Sequence, residues 1–454
     1  MHHHDVVLLA LWASLLTAQV SAQAAPERGL ALAHVTLIDA TGAPPQTDMT
    51  VVILGNRISG IYKTGHAPVL PGAETLDGTG LYLLPGLIDT HVHLFSNWRE
   101  TSHDRALAYL GGFLAQGVTG VRDAVGDEFR LALRNGVEAG QILGPHLYVS
   151  GEVSYGGMPS GTGVSLRSIT RQRVSQGFDG IKIRSRLRPP DVLTIIDEAR
   201  SQGVSVYGHT TYRDTLPWAD YTLAGVRAGM NGVTHTWFLP AVPNQQEPPR
   251  PTCTWRECAA AWWLYHASLW LYTTDHETEP LINAMVQRRV WLEPTLAFTD
   301  QIAHHDRYLQ HDPQRFYDWY QGADLTRFRA AFDRMMRFVR RFHEAGGSVL
   351  AGTDMTDYPL RYELQLLSEA GLPPLAVLQA ATRDAARALG WGGRLGTVEV
   401  GKEADLLLLE ADPLEDIRNV ERIRLVIRAG RVLDRATLRA LEVKAKAAAE
   451  AAKQ

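Results

Sequence analysis

The sequence predicts a mixed α/β fold: a (β/α)8 barrel of the TIM type, joined to a small β-sandwich module formed by both chain ends. Through the middle of the chain, residues 83–393, short apolar or β-branched runs alternate with helical patterns. Residues 29–82 and 394–434 instead contain short strand patterns broken by Gly, Asn and Asp. Two β-rich flanks around a long middle favour one module built from both ends, although the sequence alone does not show that they pair.

The composition limits the functional classes. The chain has 454 residues, of which 45% are hydrophobic and 21% charged, as in a globular protein with a sizeable core. Its net charge of -4 and the lack of a basic patch argue against a nucleic-acid partner. No glycine-rich phosphate loop or nucleotide fingerprint stands out. We therefore expect a small-molecule substrate, and we leave open whether the protein is a homo-oligomer.

The N-terminus is typical of a secretory signal peptide, residues 1–22. Residues 6–18 form an apolar run too short to span a bilayer comfortably, and Val20, Ser21 and Ala22 fit a small-x-small cleavage site. The leading MHHHD lacks Lys and Arg, which departs from the usual pattern, and a retained membrane anchor is the alternative. We expect a secreted or periplasmic protein with no stable membrane insertion after cleavage.

The two cysteines, Cys253 and Cys258, lie close together in CTWREC. In an oxidising compartment they are candidates for a short-loop disulfide, and two unpaired thiols are the alternative. Their spacing is not that of a zinc ribbon, and no histidine pair follows at finger spacing.

Eight candidate strands define the barrel, and helical patterns that often close on Gly follow most of them. Residues 435–454, which include the low-complexity stretch KAKAAAEAAK, are expected to be a solvent-exposed helical tail, and we assign them no function. The eight strands are residues 83–93, 118–124, 146–151, 180–185, 204–210, 232–238, 289–298 and 348–354.

Polar residues at the carboxyl ends of these strands are expected to converge on one mouth. Alternation along the first strand places its two histidines on the same face, about 7 Å apart along the chain. Imidazole and carboxylate ligands together suit zinc or a similar divalent ion. The candidate residues are His91 and His93 on the first strand, Lys182 in the fourth, His209 ending the fifth, His235 in the sixth and Asp354 ending the eighth.

Each candidate also has an ordinary structural explanation. A single H-x-H occurs by chance in a chain with 17 histidines. His209 and His235 taken singly are typical of satisfied polar groups, and Asp354 is also a candidate helix N-cap. A lysine inside an apolar barrel strand, as at Lys182, is costly to bury unless it is paired or chemically altered. The joint placement of all six at predicted strand ends favours the metal site.

Several motifs resemble successive segments of the amidohydrolase superfamily. PGLIDTHVHL resembles its first strand, GVTGVRD its second, GIKI its fourth and AGTD its eighth. GRLGTVEVGKEADLLLLEADPLEDI resembles the segment that returns to the β-module. The resemblance covers nearly the whole chain and is strongest to the imidazolonepropionase-like and Xaa-Pro dipeptidase-like branch.

This resemblance implies two divalent metal ions, expected to be zinc. The more buried ion is held by residues of the first and eighth strands, and the more exposed one by residues of the fifth and sixth. A lysine on the fourth strand, converted to N6-carboxylysine, bridges both ions. In this sequence these residues are His91, His93 and Asp354, then His209 and His235, and Lys182.

The implied activity is hydrolysis of an amide C–N bond by a metal-bridging hydroxide, with Asp354 as general base and then general acid. Expected substrates are dipeptides, N-acyl amino acids or aromatic amino-acid amides. A mononuclear site is the alternative within the family. A lactonase or phosphotriesterase on the same site and a non-catalytic scaffold are the other hypotheses.

The substrate pocket is less well defined by the sequence. Tyr155 lies in GEVSYGGMPSGTG, which lacks the histidine that dipeptidase-like relatives often carry after the third strand. Trp237 and Phe238 directly follow a ligand strand and are candidate pocket walls. The tryptophans at 262, 263 and 270 form either a lid or the packed face of a helix.

Overall fold

The structure is a computed structural model. The predicted signal peptide and both cysteines lie outside the residues that it describes. Among the described residues, no helix is both long enough and apolar enough to cross a membrane. The described residues are 29–68, 71–94, 103–153, 165–184, 187, 189–209, 218–239, 251–252, 259–304, 325–354 and 359–451.

Both chain ends contribute to one eight-stranded sheet. Its order is β15-β14-β13-β5-β1-β2-β3, with β4 paired beside β1. The antiparallel pairing of β5 with β13, in which Leu406 lies opposite Pro85, joins the two ends of the chain. The strands are β1 (Gly29–Leu37), β2 (Gln46–Leu54), β3 (Arg57–Lys63), β4 (Glu74–Asp77), β5 (Tyr82–Pro85), β13 (Leu406–Leu409), β14 (Ile423–Arg428) and β15 (Arg431–Asp434).

This sheet folds over its own core. The N–H of Ile58 on edge strand β3 donates to Lys402 O at 2.9 Å, and Gly401 N donates to Ile58 O at 2.8 Å. Ile58 then packs in one apolar cluster with Leu32 and Ile427 from distant strands of the same sheet. The backbone bonds also protect an edge that would otherwise be open to pairing.

Seven parallel strands form the barrel wall, in the chain order that the sequence predicts. The eighth position is an extended segment, in which Leu350 N donates to Leu292 O at 2.8 Å and Thr90 N donates to Ala351 O at 2.9 Å. These bonds close the barrel, and the predicted fold class is confirmed. The seven strands are β6 (Leu87–Val92), β7 (Val118–Asp123), β8 (His146–Val153), β9 (Gly180–Ile183), β10 (Ser205–Gly208), β11 (Gly232–Thr234) and β12 (Trp291–Glu293).

Helices cover the outside of the barrel. The longest, α9, buries Phe328, Phe332, Phe338 and Phe342 on one face, as expected of an amphipathic helix on a sheet. The helices are α1 (His103–Ala115), α2 (Glu128–Glu138), α3 (Leu166–Ser175), α4 (Pro189–Ser201), α5 (Trp218–Ala228), α6 (Ala259–Ser268), α7 (Asp275–Arg288), α8 (Leu296–Ala303), α9 (Leu325–Glu344), α10 (Leu360–Glu369), α11 (Pro374–Ala380), α12 (Arg383–Ala388) and α13 (Arg435–Ala451).

The first predicted barrel strand is in fact two strands. Residues before Gly86 belong to β5 of the module sheet, and those after it belong to β6 of the barrel. A side chain at Gly86 would place its Cβ 2.1 Å from Thr119 Oγ1. Glycine therefore allows the backbone to lie against Thr119 where the chain leaves one sheet and enters the other. The continuous apolar run in the sequence does not indicate this division into two strands.

The C-terminal tail is the helix α13, but it is not wholly exposed. Leu438 is buried, and α13 packs closely on α1. A Cβ at Gly111 would lie 2.8 Å from Leu441, and one at Gly112 would lie 2.8 Å from Ala445. Two adjacent glycines on α1 therefore let the tail approach, which the low-complexity sequence of α13 does not indicate.

Candidate metal centre

The barrel brings the six predicted site residues to its carboxyl-terminal mouth. The sixth strand ends at Thr234, so His235 lies just beyond it rather than within it, with a φ of 66°. Asp354 also has a positive φ, 61°. His91 lies within β6 and Lys182 within β9, whereas His93, His209 and Asp354 lie just after their strands or extended segments.

Three of the six side chains converge most tightly. Asp354 Oδ1 lies 3.1 Å from His91 Nε2 and 3.0 Å from His93 Nε2. Ligand atoms of these three residues all lie within 4.8 Å of one another. The alternation predicted for H-x-H therefore places both imidazoles on one face, with ring centroids 5.4 Å apart.

The remaining two histidines lie beside this group. The His235 ring centroid is 4.8 Å from that of His91, and the His209 centroid is 4.6 Å from that of His235. His235 Nδ1 is 3.8 Å from Asp354 Oδ2. The four imidazoles thus form one continuous cluster, with Asp354 beside three of them.

Lys182 lies buried beneath the cluster. Its Nζ is 3.3 Å from His91 Nε2 and 3.3 Å from Thr234 Oγ1, and it lies 5.1 Å from the centroid of the Tyr207 ring. Among the described residues, no carboxylate lies within ion-pair distance of this amine. Burial lowers the pKa of Lys182 to about 7, because the charged form is poorly solvated there.

The electrostatics of the mouth favour neutral imidazoles and an ionised carboxylate. Burial lowers the pKa values of His209 and His235 well below the ordinary histidine value. Burial would raise the pKa of Asp354, but nearby His235 and His91 hold it well below its usual range. Deprotonated nitrogen and oxygen donors are what a divalent cation requires, so these residues fit such an ion.

The amidohydrolase family model matches residues 82–241 and 266–433. The chain belongs to the amidohydrolase family. This family is metal-dependent, and the predicted family and the predicted enzyme class, a hydrolase, are confirmed.

Individual relatives match shorter stretches of this amidohydrolase. An imidazolonepropionase from Idiomarina loihiensis is 32% identical over 102 residues, which cover 20% of this chain and 25% of that protein. An ochratoxinase from Aspergillus niger is 35% identical over 96 residues, which cover 20% of each chain. The chain therefore spans about a quarter or less of the length of these curated relatives.

A solved structure matches over nearly the whole length. The crystal structure of a candidate prolidase from Bifidobacterium longum superposes with a TM-score of 0.65 at 27% sequence identity. The superposition covers 93% of this chain and 100% of that one. The likeness therefore includes both the barrel and the module built from the chain ends.

A buried ion pair that sequence reasoning missed supports His91 in this amidohydrolase. His91 Nδ1 lies 2.5 Å from Glu293 Oε2, and the other carboxylate oxygen of Glu293 accepts from Arg122 at 2.5 Å. The Arg122 guanidinium lies 3.7 Å from the centroid of the Tyr207 ring and 4.5 Å from that of Trp291. Because Glu293 engages Nδ1, Nε2 of His91 is the nitrogen that faces the site.

The charge state of Glu293 follows from the same contacts. Burial alone would raise its pKa, but Arg122 and His91 lower the pKa of Glu293 to about 2. The carboxylate is therefore ionised at neutral pH and accepts a hydrogen bond from Nδ1–H of His91. A signal for this pair exists in the sequence, since Arg122 and Glu293 are charges inside apolar strands, like Lys182.

His235 is supported in a different way. Its Nδ1 lies 2.8 Å from Thr295 Oγ1, and its ring stacks on Trp237 with centroids 4.8 Å apart and planes 7° apart. Trp237 is only 3% exposed, and its ring also packs against Phe298, with ring centroids 4.9 Å apart. Trp237, predicted as a pocket wall, therefore packs behind a site residue.

The other predicted pocket residues divide into two groups. Tyr155 and the side chain of Phe238 lie outside the described residues, as do the side chains of Trp262 and Trp263. Trp270 is buried, donates from Nε1 to Thr236 O at 3.0 Å and packs against Phe338. For Trp270, the structure agrees with the packed face of a helix rather than a lid.

A second histidine–carboxylate group lies at the opposite, amino-terminal end of the barrel. His146, the first residue of β8, has Nε2 3.2 Å from Glu403 and 3.4 Å from Asp405. Two arginines share these carboxylates: Arg394 lies 3.1 Å from Glu403, and Arg428 lies 3.4 Å from Asp405. Because guanidinium groups already balance these acids, this cluster is an ion-pair network that fastens the module to the barrel.

Proposed function

We propose that this protein is a binuclear, metal-dependent amidohydrolase that cleaves the amide C–N bond of a small substrate. The observation that carries this proposal is the meeting of four imidazoles, one ionised carboxylate and one buried amine at the barrel mouth. A divalent ion, expected to be zinc, suits such donors. The names of the relatives, imidazolonepropionase, ochratoxinase and prolidase, favour C–N hydrolysis over lactone or phosphotriester hydrolysis.

Lys182 is proposed to become N6-carboxylysine. Attack of the neutral amine on carbon dioxide forms an N–C bond and releases a proton, which converts a buried base into an anionic ligand. The amine lies 3.3 Å from His91 Nε2, so the added carboxylate would extend into the histidine cluster. This change also removes the cost of burying an amine that has no carboxylate partner among the described residues.

The six residues divide between two ions in this proposal. The tight group around Asp354 would hold one ion, the neighbouring pair of histidines would hold the other, and the carboxylated lysine would contact both. When bound, two such ions polarise the scissile carbonyl and make water nucleophilic near neutral pH. The first group is His91, His93 and Asp354, and the second is His209 and His235.

Asp354 is proposed as the proton carrier. Its Oδ1 faces both His91 and His93, whereas Oδ2 lies 3.8 Å from His235 Nδ1. Its lowered pKa keeps it ionised and able to accept a proton from the attacking water. The protonated carboxyl group of Asp354 would then deliver that proton to the leaving nitrogen, so the amine departs neutral.

Replacement of the lysine tests this proposal. We expect Lys182→Ala to lose the second ion and to reduce amide turnover by at least about 10³-fold, because hydroxide generation and carbonyl polarisation both need the pair of ions. Metal content by mass spectrometry and hydrolysis of an amide panel, with a lactone and a phosphotriester for comparison, measure both effects. Lys446→Ala on the exposed face of α13 is the matched control. Full activity with two bound ions in Lys182→Ala would refute the proposal.

Export from the cytoplasm is a separate proposal. It rests on residues 1–22 alone, which lie outside the described structure. Expression of the full chain followed by N-terminal sequencing of the secreted or periplasmic protein is the test. A mature chain beginning at Gln23 supports cleavage after Ala22, and retention of the apolar run contradicts it.

A further inference from the structure

Arg184 occupies a position on the barrel mouth that the proposed chemistry does not use. It follows Lys182 by two residues at the carboxyl end of β9, so strand alternation directs both side chains to the interior face. Lys182 is in register with Glu152 on β8 and with Tyr207 on β10. Arg184 and Glu152 therefore lie at the open end of the barrel, next to the histidine cluster.

The contacts of Arg184 leave most of its guanidinium uncommitted within the described part of the chain. One nitrogen, NH1, lies 3.2 Å from Glu152 Oε2, and this is the side-chain contact that the described residues provide. A guanidinium has five N–H donors in a planar fork. As far as the described residues are concerned, one edge is thus left for a ligand that enters the mouth.

A comparison with Arg122 shows what a structural arginine looks like in this barrel. Arg122 is 1% exposed, and its donors reach Glu293 and Thr90 O while aromatic rings cover its faces. Arg184 is 43% exposed, and its Glu152 partner is 16% exposed. Unlike Arg122, Arg184 is therefore not held by packing, and its guanidinium is accessible to solvent.

The charge of Arg184 lies beside the candidate metal centre. Arg184 is two residues beyond Lys182 at the end of β9, and its partner Glu152 is in register with Lys182. A cation this close attracts an anionic group to the region beside the scissile bond. The net charge of the chain is -4, so the positive charge at the mouth is local.

We propose that Arg184 binds a carboxylate of the substrate, and that the substrate is an amide whose nitrogen side bears this carboxylate, as in an N-acyl amino acid or a dipeptide. The inference rests on the proposed amide hydrolysis and adds a residue that sets specificity. A guanidinium binds a carboxylate through two parallel N–H···O bonds, which fix the orientation of the substrate as well as its charge.

The test compares two amides that differ only in the carboxylate. N-acetyl-L-phenylalanine and N-acetyl-2-phenylethylamine both release a primary amine, which is measured for zinc-loaded wild type and Arg184→Met. We expect wild type to prefer the carboxylate in kcat/KM, and Arg184→Met to lower that preference by about 10- to 100-fold, the effect of one charged hydrogen-bonded pair. The loss should appear mainly in KM. Arg184→Lys keeps the charge without the fork and should recover part of the preference.

Two further variants separate recognition from structure. Arg167→Met removes a similarly exposed arginine, 46% exposed and paired with Asp197 on the outer helices, and should leave the preference unchanged. Glu152→Gln removes the ion-pair partner but keeps the guanidinium, so the preference should persist. Equal loss of preference in Glu152→Gln and Arg184→Met would overturn the inference, because the pair would then act as a structural unit.

The failure of this inference is distinguishable from failure of the proposed function. If zinc-loaded wild type cleaves neutral amides as well as their carboxylate partners, or if Arg184→Met keeps the preference, the inference is wrong and the hydrolase remains. If wild type cleaves no amide in a panel of such pairs, the proposed function is wrong, and the inference falls with it.

Discussion

The barrel carries a buried histidine–carboxylate cluster at each of its two ends, and the two clusters differ in their cations. At the amino end, His146 meets Glu138, Glu403 and Asp405 in the presence of Arg394 and Arg428. At the carboxyl end, three of the four imidazoles lie within 4 Å of Asp354, and no guanidinium contacts that aspartate among the described residues. Ligand-type residues alone therefore do not distinguish the two ends, because only the acids of the amino-end cluster are paired with guanidiniums among the described residues.

A count of charges sharpens the difference. Three carboxylates at the amino end face two guanidiniums, so a protonated His146 makes the cluster neutral. Burial would lower the pKa of His146, but hydrogen bonds to Glu138 and Glu403 raise it above the ordinary value. At the mouth, burial lowers the pKa values of His93, His209 and His235 instead, which suits coordination rather than ion pairing.

The largest expected effect comes from removing the carboxylate of Asp354. Asp354→Asn keeps the shape of the side chain but takes away its basicity. We expect kcat to fall by about 10³-fold, because general acid–base transfer is worth 10²–10⁴-fold. Steady-state amide hydrolysis at saturating zinc, with metal content measured in parallel, checks this. Wild-type kcat in a fully metal-loaded variant would exclude Asp354 as the proton carrier.

An intermediate effect is expected from replacing Glu293, which accepts a hydrogen bond from His91 Nδ1. Glu293→Gln should weaken metal retention by about 10- to 100-fold, because a carboxylate that orients a histidine ligand also raises its basicity. Titration with a chelator, followed by metal analysis, gives this number without reference to turnover. Glu403→Gln at the amino end is the matched control and should bind metal as wild type does. If both variants lose metal equally, the distinction between the two ends fails.

The smallest expected effect concerns pH and the amino-end cluster. The His146 hydrogen bond is the main cause that lowers the pKa of Glu138 to about 2, from an ordinary 4.5. Stability from Glu138 is thus complete above about pH 4.5 and is lost as the pH falls toward 2. The raised pKa of His146 means that its contribution is complete below about pH 6.5 and is lost as the pH rises past the folded pKa.

Glu138→Gln should therefore cost most between about pH 4.5 and 6.5. We expect about 1 kcal/mol in the free energy of unfolding, reduced because the Glu138 side chain is 39% exposed and screened by solvent. Urea unfolding at several pH values measures it, and Glu442→Gln on α13 is the control for an exposed pair. A cost that does not change with pH would show that ionisation of this cluster contributes no stability.

Much of this architecture could be predicted from the sequence because hydrophobic periodicity and the order of strands and helices can be read along the chain. Alternating strand and helix patterns gave the barrel, and H-x-H at a strand end gave the first site residues. The same reasoning placed Asp354 beside those histidines, since parallel strand ends meet at one mouth. For the six site residues, the structure departs from the predicted strand positions by only a residue or so, as at His235.

The features that could not be predicted depend on the close approach of backbone segments and on contacts between residues distant in the chain. Gly86 divides an apolar run between two sheets, and a glycine pair on α1 receives the C-terminal helix. Glu293 reaches His91 across 202 residues, a contact that strand periodicity does not encode. Arg122 offered the same signal as Lys182, a charge in an apolar strand, but its partner is set by barrel closure.

His235 and Asp354 hold their side chains in place with backbones of positive φ, 66° and 61°. Such a conformation costs a residue with a side chain about 1–3 kcal/mol. Glycine at either position would relax the chain and at the same time delete a donor from the mouth. Selection for thermal stability alone would therefore favour glycine at two proposed metal ligands, so stabilised variants of this protein need to be screened for turnover as well.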